Sequence, residues 1–358
     1  MSFQNRIEKL NNKLSDFNLD GLYVTNLTNV RYLTGFTGSA GSLLLIGDKC
    51  HFFTDGRYTE QAKEQINHCD IHIVGSAHYL AIKEKKIILN DANIGIESSF
   101  VSVNSFDSIM SELSHVKWHK IDDIIGQIAA VKDQHEINSL QTAIEITDQV
   151  FTEIIPELKV GAIEKQIAAK ISYLFKMHGA DGDSYDPIIG SGHLGALPHA
   201  TPSDKRFENG DFVVMDFGAL YNGYHADMTR TIVVGSATDK HKEIYNIVLE
   251  SQLAGIKSAR AGMTGKELDA VCRKVIDDAG YGDKFIHSTG HGLGLEVHTY
   301  PRISSYNTNP LLENYVITIE PGIYLEGWGG VRIEDDCLIQ KDGCIAMNKS
   351  TKEMLILN

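Results

Sequence analysis

No long apolar segment occurs in this chain. Residues 1–20 spread Arg6, Glu8, Lys9, Lys13 and Asp16 among their apolar neighbours, so no signal peptide is expected. No later stretch approaches the roughly 20 apolar residues that cross a bilayer, and no membrane partner is expected. A C-x-x-C pair is missing too. The five cysteines, Cys50, Cys69, Cys272, Cys337 and Cys344, are odd in number and dispersed, and are expected to be reduced, mostly structural thiols in a cytoplasmic protein. Basic charge is in short supply. The formal net charge is −14, which argues against nucleic acid as a partner, because binding its phosphates needs clustered Lys and Arg.

Two loops that resemble cofactor sites lack what those sites need. The glycines Gly35, Gly38 and Gly41 give G-x-x-G-x-x-G, without the dinucleotide fingerprint. Asp181-Gly-Asp-Ser-Tyr-Asp186 has the acidic spacing of a calcium loop but neither its position-6 glycine nor its position-12 glutamate. Both are read as ordinary loops.

With 358 residues the chain exceeds the size of one hydrophobic core, and two domains are expected. Residues 1–127 alternate helical and strand signals and form an α/β domain. Ile7, Leu10, Leu14 and Phe17 recur at helical spacing, and Asp20-Gly21 turns into the strand-like Leu22-Tyr23-Val24. Paired strands are expected around Gly47-Asp48, with helices near residues 58–65 and 106–113. The second domain, residues 128–358, opens with a long helical pattern from Glu136 and carries most of the acidic excess.

That second domain is a weak internal duplication. Gly161-Ala-Ile-Glu-Lys-Gln-Ile-Ala-Ala169 aligns with Gly262-Met-Thr-Gly-Lys-Glu-Leu-Asp-Ala270, and the following glycines Gly179 and Gly280 keep the same offset of 101. Phe212-Val-Val-Met-Asp-Phe-Gly218 then aligns with Val316-Ile-Thr-Ile-Glu-Pro-Gly322. Asp216 thus stands opposite Glu320, and Asp227 near Glu334. An acidic residue inside an apolar strand is costly to bury unless it is paired or ligates a metal, and here four share that predicament at matching places.

Asn222-Gly223 between strand patterns signals a two-residue hairpin. If Tyr221 pairs with Tyr224, Asp216 lies opposite Thr229 and Asp227 is its diagonal neighbour on one face, about 7 to 8 Å away by Cα. His291, in His287-Ser-Thr-Gly-His291-Gly, is the fifth candidate. His287 and His291 have the i, i+4 spacing of a helical zinc pair, but no Glu follows His287 and glycines flank His291, so the H-E-x-x-H reading fails. Four carboxylates, one imidazole and no thiolate suit two divalent ions such as Mn²⁺, Co²⁺, Zn²⁺ or Fe²⁺. Two such ions about 3.5 to 4 Å apart share a water, lower its pKa and polarise a carbonyl, which gives hydrolysis without a side-chain nucleophile. His199 and His298 are the candidates for hydrogen-bond donors and proton carriers beside them.

These residues carry a resemblance. The chain resembles the proline-specific branch of the metallopeptidases with the pita-bread fold, the family of prolidase (Xaa-Pro dipeptidase) and aminopeptidase P. Asn29-Val-Arg-Tyr-Leu-Thr-Gly-Phe-Thr-Gly-Ser-Ala-Gly41 and Phe53-Thr-Asp-Gly-Arg-Tyr-Thr59 look like its creatinase-type amino-terminal domain. Asp186-Pro-Ile-Ile-Gly-Ser-Gly192, Leu197-Pro-His199, Asp216 with Asp227, His287-Ser-Thr-Gly-His-Gly-Leu-Gly294, Ile319-Glu-Pro-Gly322 and Val331-Arg-Ile-Glu-Asp335 match its catalytic domain. The implied fold is α/β followed by α+β: a creatinase-like α/β domain before a duplicated pita-bread domain.

By this resemblance Asp216 and Asp227 bind one metal, His291 and Glu320 the other, and Asp227 and Glu334 bridge, with manganese as the first choice. A hydroxide between the two ions is the implied nucleophile. His199, His287 and His298 face substrate, Arg332 orders the site through hydrogen bonds, and Glu320 also helps move the proton. Substrates are short proline-containing peptides, and a homodimer is implied. Arg302, in His298-Thr-Tyr-Pro-Arg302, is placed to meet a substrate's terminal carboxylate, which favours a dipeptidase slightly over an aminopeptidase acting on longer peptides. A pita-bread binding module that has kept metal for structure is the alternative from another class.

Overall fold

Leu22, Tyr23, Val24, Leu43, Leu44, Leu45, Phe52 and Phe53 are all buried, so the strands that carry them lie inside a sheet covered on both faces. That sheet has six strands, in the order Asp70–Ile73, Lys49–Thr54, Ser42–Ile46, Gly21–Val24, Asn93–Glu97 and Lys117–Ile121. The pairs Ser42–Ile46 with Lys49–Thr54 and with Gly21–Val24 are antiparallel, and the outer pairings are parallel. The computed structural model describes residues 2–358, in two units: one ends at Ala129 and the other runs from Ala130 to Asn358.

Helices of the first unit follow the expected pattern with local differences. Ile7, Leu10 and Leu14 face inward from the helix Phe3–Ser15, whose N-cap is Ser2. Phe17 does not join them. The helix stops at Ser15, Asn18 takes a left-handed φ of +54°, and Phe17 is left exposed. The helix expected at 58–65 is a 3₁₀ turn, Gly56–Tyr58, followed by the helix Thr59–Gln65. Near 106–113 the helix is Val103–Glu112, capped by Ser102.

The reduced state expected of all five cysteines is corrected here. Cys50 and Cys69 form a disulfide with their Cα atoms 4.6 Å apart. The cause is tertiary. Parallel pairing sets His51 opposite Asp70 and so brings the residues just before them side by side, a neighbourhood that their separation of 19 residues does not reveal. Cys272 and Cys337 are free and buried, and Cys344 is free and half-buried.

In the second unit the duplication has a physical form. Helices Glu164–Met177 and Gly265–Asp278 match at both ends with the same offset of 101 (265 − 164 and 278 − 177). Gly161 and Gly262 enter them, and Gly179 and Gly280 leave them, all four with φ between +84° and +90°, where a side chain would be strained. Longer helices, Gln134–Ile154 and Asp239–Ser258, precede each of these, and each opens with a capping box, at Asp133 and Thr238.

The strands of the two halves form a four-stranded sheet, Ile356–Leu357, Met228–Val234, Asp211–Phe217 and Ile188–Ser191, and a five-stranded one, Thr299–Ile303, Gly290–Gly292, Val316–Ile319, Asp335–Gln340 and Gly343–Ala346. A separate hairpin joins Gly322–Leu325 to Gly329–Arg332.

The hairpin around Asn222-Gly223 has the expected register. Tyr221 pairs with Tyr224, and Thr229 with Asp216. Asn222 and Gly223, at φ +50° and +75°, supply the two positive values that a twisted two-residue turn requires. Between turn and sheet the backbones close in at Gly218, where any Cβ would stand 1.7 Å from the Ala226 carbonyl oxygen. Asp216 lies just before this pinch and Asp227 just after it. Among the described residues, no helix is long and apolar enough to cross a membrane.

Candidate metal centre

Four strand segments deliver the acidic side chains to one place. Asp216 is the sixth residue of Asp211–Phe217, and Asp227 immediately precedes Met228–Val234. Glu320 follows Val316–Ile319, with its N–H donating to the Thr289 carbonyl at 2.8 Å. Glu334 falls between Gly329–Arg332 and Asp335–Gln340, its N–H donating to the Thr229 carbonyl at 3.1 Å. His291 is the middle residue of Gly290–Gly292, its N–H held by Thr318 Oγ1 at 3.1 Å.

One ligand atom each from Asp227, His291 and Glu334 lies within 4.8 Å of the others. His291 Nε2 stands 3.5 Å from Asp227 Oδ2 and 3.5 Å from Glu320 Oε1. Asp216 joins through Tyr185, whose hydroxyl bonds both Asp216 Oδ1 and Asp227 Oδ1. All but Glu320 are buried, and Glu320, which lines the same cavity, is half-buried.

Burial and crowding set the electrostatics. Burial comes first in pushing the Asp227 and Glu334 carboxyls well above the usual carboxylate range, and the neighbouring carboxylates add to it. Glu320 is pushed up to about 7, again mainly by burial. His291 is driven down to about 3 by burial and by His298 beside it, so its imidazole is neutral and free to ligate. The Tyr185 phenol, buried against Asp216 and Asp227, is held well above its ordinary value and stays protonated. Four carboxylates this close, with an uncharged imidazole and no thiolate, are the donor set of hard to borderline divalent cations, and the residues present fit such ions.

Arg332 ties the acidic groups together. Its guanidinium bonds Asp216 Oδ2, donates to Thr229 Oγ1 at 2.9 Å and to Tyr324 Oη at 2.7 Å, and reaches the Pro198 carbonyl at 3.3 Å. Thr229 passes the link on, since its hydroxyl donates to Glu334 Oε2 at 2.6 Å. Arg230 supports the same segment through the Glu334 carbonyl and Asp335. Asp336 accepts from the Asp227 N–H at 3.1 Å.

All ten residues singled out in the sequence line one cavity of about 400 Å³: His199, Asp216, Asp227, His287, His291, His298, Arg302, Glu320, Arg332 and Glu334. His298 stacks edge-on to His291 with ring centroids 4.3 Å apart, and burial lowers its pKa. His199 and Arg302 are exposed on the wall. His287 is more constrained. Its Nε2 meets the Tyr324 hydroxyl at 2.9 Å and its Nδ1 the Ser288 carbonyl at 2.8 Å, so both ring nitrogens are engaged and only a ring edge is left for a ligand. Burial and the Arg332 charge lower it to about 4.

Tyr185, Thr229, Thr318 and Tyr324 were not singled out in the sequence. The segment 181–186, read as an ordinary loop, is corrected: Gly182–Asp183 is a short strand, and Tyr185 and Asp186 line the cavity. The available signal was adjacency, since Tyr185 abuts the motif beginning at Asp186, and Tyr324 lies two residues past Gly322.

Comparison with known proteins follows the same division. Residues 138–341 match the model of metallopeptidase family M24, and residues 6–131 that of the creatinase/prolidase N-terminal domain. An Xaa-Pro dipeptidase of Pyrococcus furiosus is 44% identical over 354 residues, 98% of this chain and 99% of that protein. Among solved structures, an Xaa-Pro dipeptidase from Bacillus anthracis superposes with a TM-score of 0.96 at 37% identity, covering 99% of this chain and 100% of that one. An X-Pro aminopeptidase from Thermotoga maritima gives 0.88 at 40% identity, covering 95% and 98%.

Proposed function

The chain belongs to metallopeptidase family M24, with a creatinase/prolidase-type amino-terminal domain, and from that premise we propose that it is an Xaa-Pro dipeptidase. Asp216, Asp227, His291, Glu320 and Glu334 would hold two divalent cations, manganese first. When bound they supply an activated water and a Lewis acid for the scissile carbonyl. The observation that carries this reading is the cluster of Asp227, His291 and Glu334 ligand atoms, with Glu320 3.5 Å from His291.

The remaining roles belong to the chain's own groups. His199 and His298, on the cavity wall, hydrogen-bond the peptide and the oxygen on which charge develops. Arg332 holds Asp216 directly and Glu334 through Thr229, which fixes both carboxylates before substrate arrives. Glu320, the half-buried member of the set, moves a proton from water to the proline nitrogen through its carboxylate. That nitrogen is a tertiary amide without N–H, so a site that attacks the carbonyl without binding an N–H suits it.

Arg302 decides between dipeptide and longer substrates. Its exposed guanidinium on the wall is matched to a free carboxylate on the proline. The second reading, an Xaa-Pro aminopeptidase, is favoured by the likeness to the Thermotoga maritima structure. Chelated protein reloaded with Mn²⁺ or Co²⁺ should release proline from Xaa-Pro faster than it cleaves Xaa-Pro-Xaa, and Arg302→Ala should raise KM for the dipeptide alone. Faster cleavage of the tripeptide would move the assignment to the aminopeptidase. No cleavage of either by metal-loaded protein would leave a binding module. A homodimer and action in the cytoplasm belong to this proposal; the Cys50–Cys69 pairing removes the argument for the latter from unpaired thiols.

A further inference from the structure

Glu164 is fully buried, opens the helix Glu164–Met177, and takes no part in lining the cavity. Its carboxylate accepts four hydrogen bonds, all from neutral groups. Oε1 takes the Ser191 N–H at 2.8 Å and its hydroxyl at 2.7 Å. Oε2 takes the Ser203 N–H at 2.9 Å and its hydroxyl at 2.6 Å. Ser191, the last residue of the strand Ile188–Ser191, and Ser203 flank the segment that carries Pro198 and His199 to the cavity, a segment that opens with the 3₁₀ turn Gly192–Ala196 and is called the 191–203 loop below. We propose that Glu164 is a positioning residue for His199, its carboxylate clamping both ends of the 191–203 loop. The proposal rests on the reading that His199 meets substrate.

The duplicated half shows that the helix itself does not require this residue. The position equivalent to Glu164 is Gly265 (265 − 164 = 101), where a Cβ would stand 2.6 Å from the Arg302 carbonyl oxygen. There the helix caps itself, through Thr264 and Glu267. In the first half Ile163 gives no side-chain cap, and the carboxylate of Glu164 is directed to the loop instead. The acid therefore belongs to the half that bears His199 and is not part of the repeated helical frame.

The loop has a second anchor at its apex, where the Pro198 carbonyl accepts from Arg332 at 3.3 Å. With the ends clamped by Glu164 and the apex held by the guanidinium that also holds Asp216, His199 keeps a fixed place relative to the carboxylates. Neutralising the clamp frees one end. In Glu164→Gln the amide keeps one acceptor oxygen, and its NH₂ faces a serine backbone N–H, donor against donor. The hydroxyl can turn round; the backbone N–H cannot.

A double-mutant cycle tests this, using metal-loaded full-length protein, proline release from Xaa-Pro, and metal content per chain as a control. Glu164→Gln should lower kcat/KM by about ten-fold beside an intact His199, by less than about two-fold in a His199→Ala background, and leave metal content unchanged. Equal factors in both backgrounds, with His199→Ala itself impaired, would overturn the positioning proposal and leave the role of His199 standing. A His199→Ala protein with unchanged kcat/KM would remove the role of His199 and the positioning proposal with it. Should Glu164→Gln not fold, Ser203→Ala, which deletes one of the four bonds, is run through the same cycle. Its expected loss is about three-fold, again abolished by His199→Ala, and a loss that persists there overturns the proposal.

Discussion

Replacing Arg332 by methionine keeps much of the buried volume and removes the guanidinium that holds Asp216. Arg332 is 3% exposed, so its interactions are not diluted by solvent. Removing one partner of a buried ion pair costs about 3 to 5 kcal/mol, because the other charge is left uncompensated. For a unit of this size that corresponds to a fall in Tm of about 6 to 20 °C. Cations bound by the same carboxylates would supply the compensation that the guanidinium no longer gives. In their presence the ion-pair part of the loss should fall away, leaving only the part due to the neutral contacts with Thr229, Tyr324 and Pro198. Differential scanning calorimetry of parent and Arg332→Met protein, each chelated and each loaded with Mn²⁺, measures both quantities. An equal Tm loss with and without metal, or none in the chelated pair, would refute the reasoning.

In chelated protein Glu320 keeps its proton up to about 7, against an ordinary value of 4.5 in the unfolded chain, and Asp227 and Glu334 shift the same way. Between those values the folded state binds more protons than the unfolded, so this contribution to stability falls as pH rises from 4.5 to about 7 and is level above it. The Tm difference between metal-loaded and chelated protein should therefore widen from pH 5 to pH 8; a gap that narrows would contradict the site electrostatics. Opening the Cys50–Cys69 bridge with Cys50→Ser releases a loop spanning a separation of 19 residues and should cost the first unit about 3 kcal/mol, read by urea unfolding. Proline release by the folded protein should be unchanged, and an unshifted urea midpoint would show that the bridge does not stabilise the unit.

What could be read from the sequence was what local chemistry determines. Asn222-Gly223 admits one kind of tight hairpin, and from that turn alone Asp216 is placed opposite Thr229, as observed. The duplicated glycines likewise mark helix ends, because only a residue tolerant of positive φ leaves or enters a helix so abruptly. Groups defined by tertiary approach were not legible. Tyr185 and Thr229 are neutral residues with no periodic signature, and become important only because the fold brings carboxylates to their hydroxyls. Cys50 and Cys69 meet through parallel pairing of strands that nothing in their spacing announces. Glu164 is another such residue, since its four hydrogen bonds come from groups 27 and 39 residues away.

Elemental analysis after Mn²⁺ reloading, run beside a proline-release assay on parent and Asp227→Ala protein, bears most directly on the proposed centre. The parent should hold two ions per chain. Asp227→Ala should hold at most one and lose more activity than the roughly hundred-fold that a supporting residue costs. Asp227→Ala protein that retains two ions and cleaves Xaa-Pro at the parent rate would contradict the account.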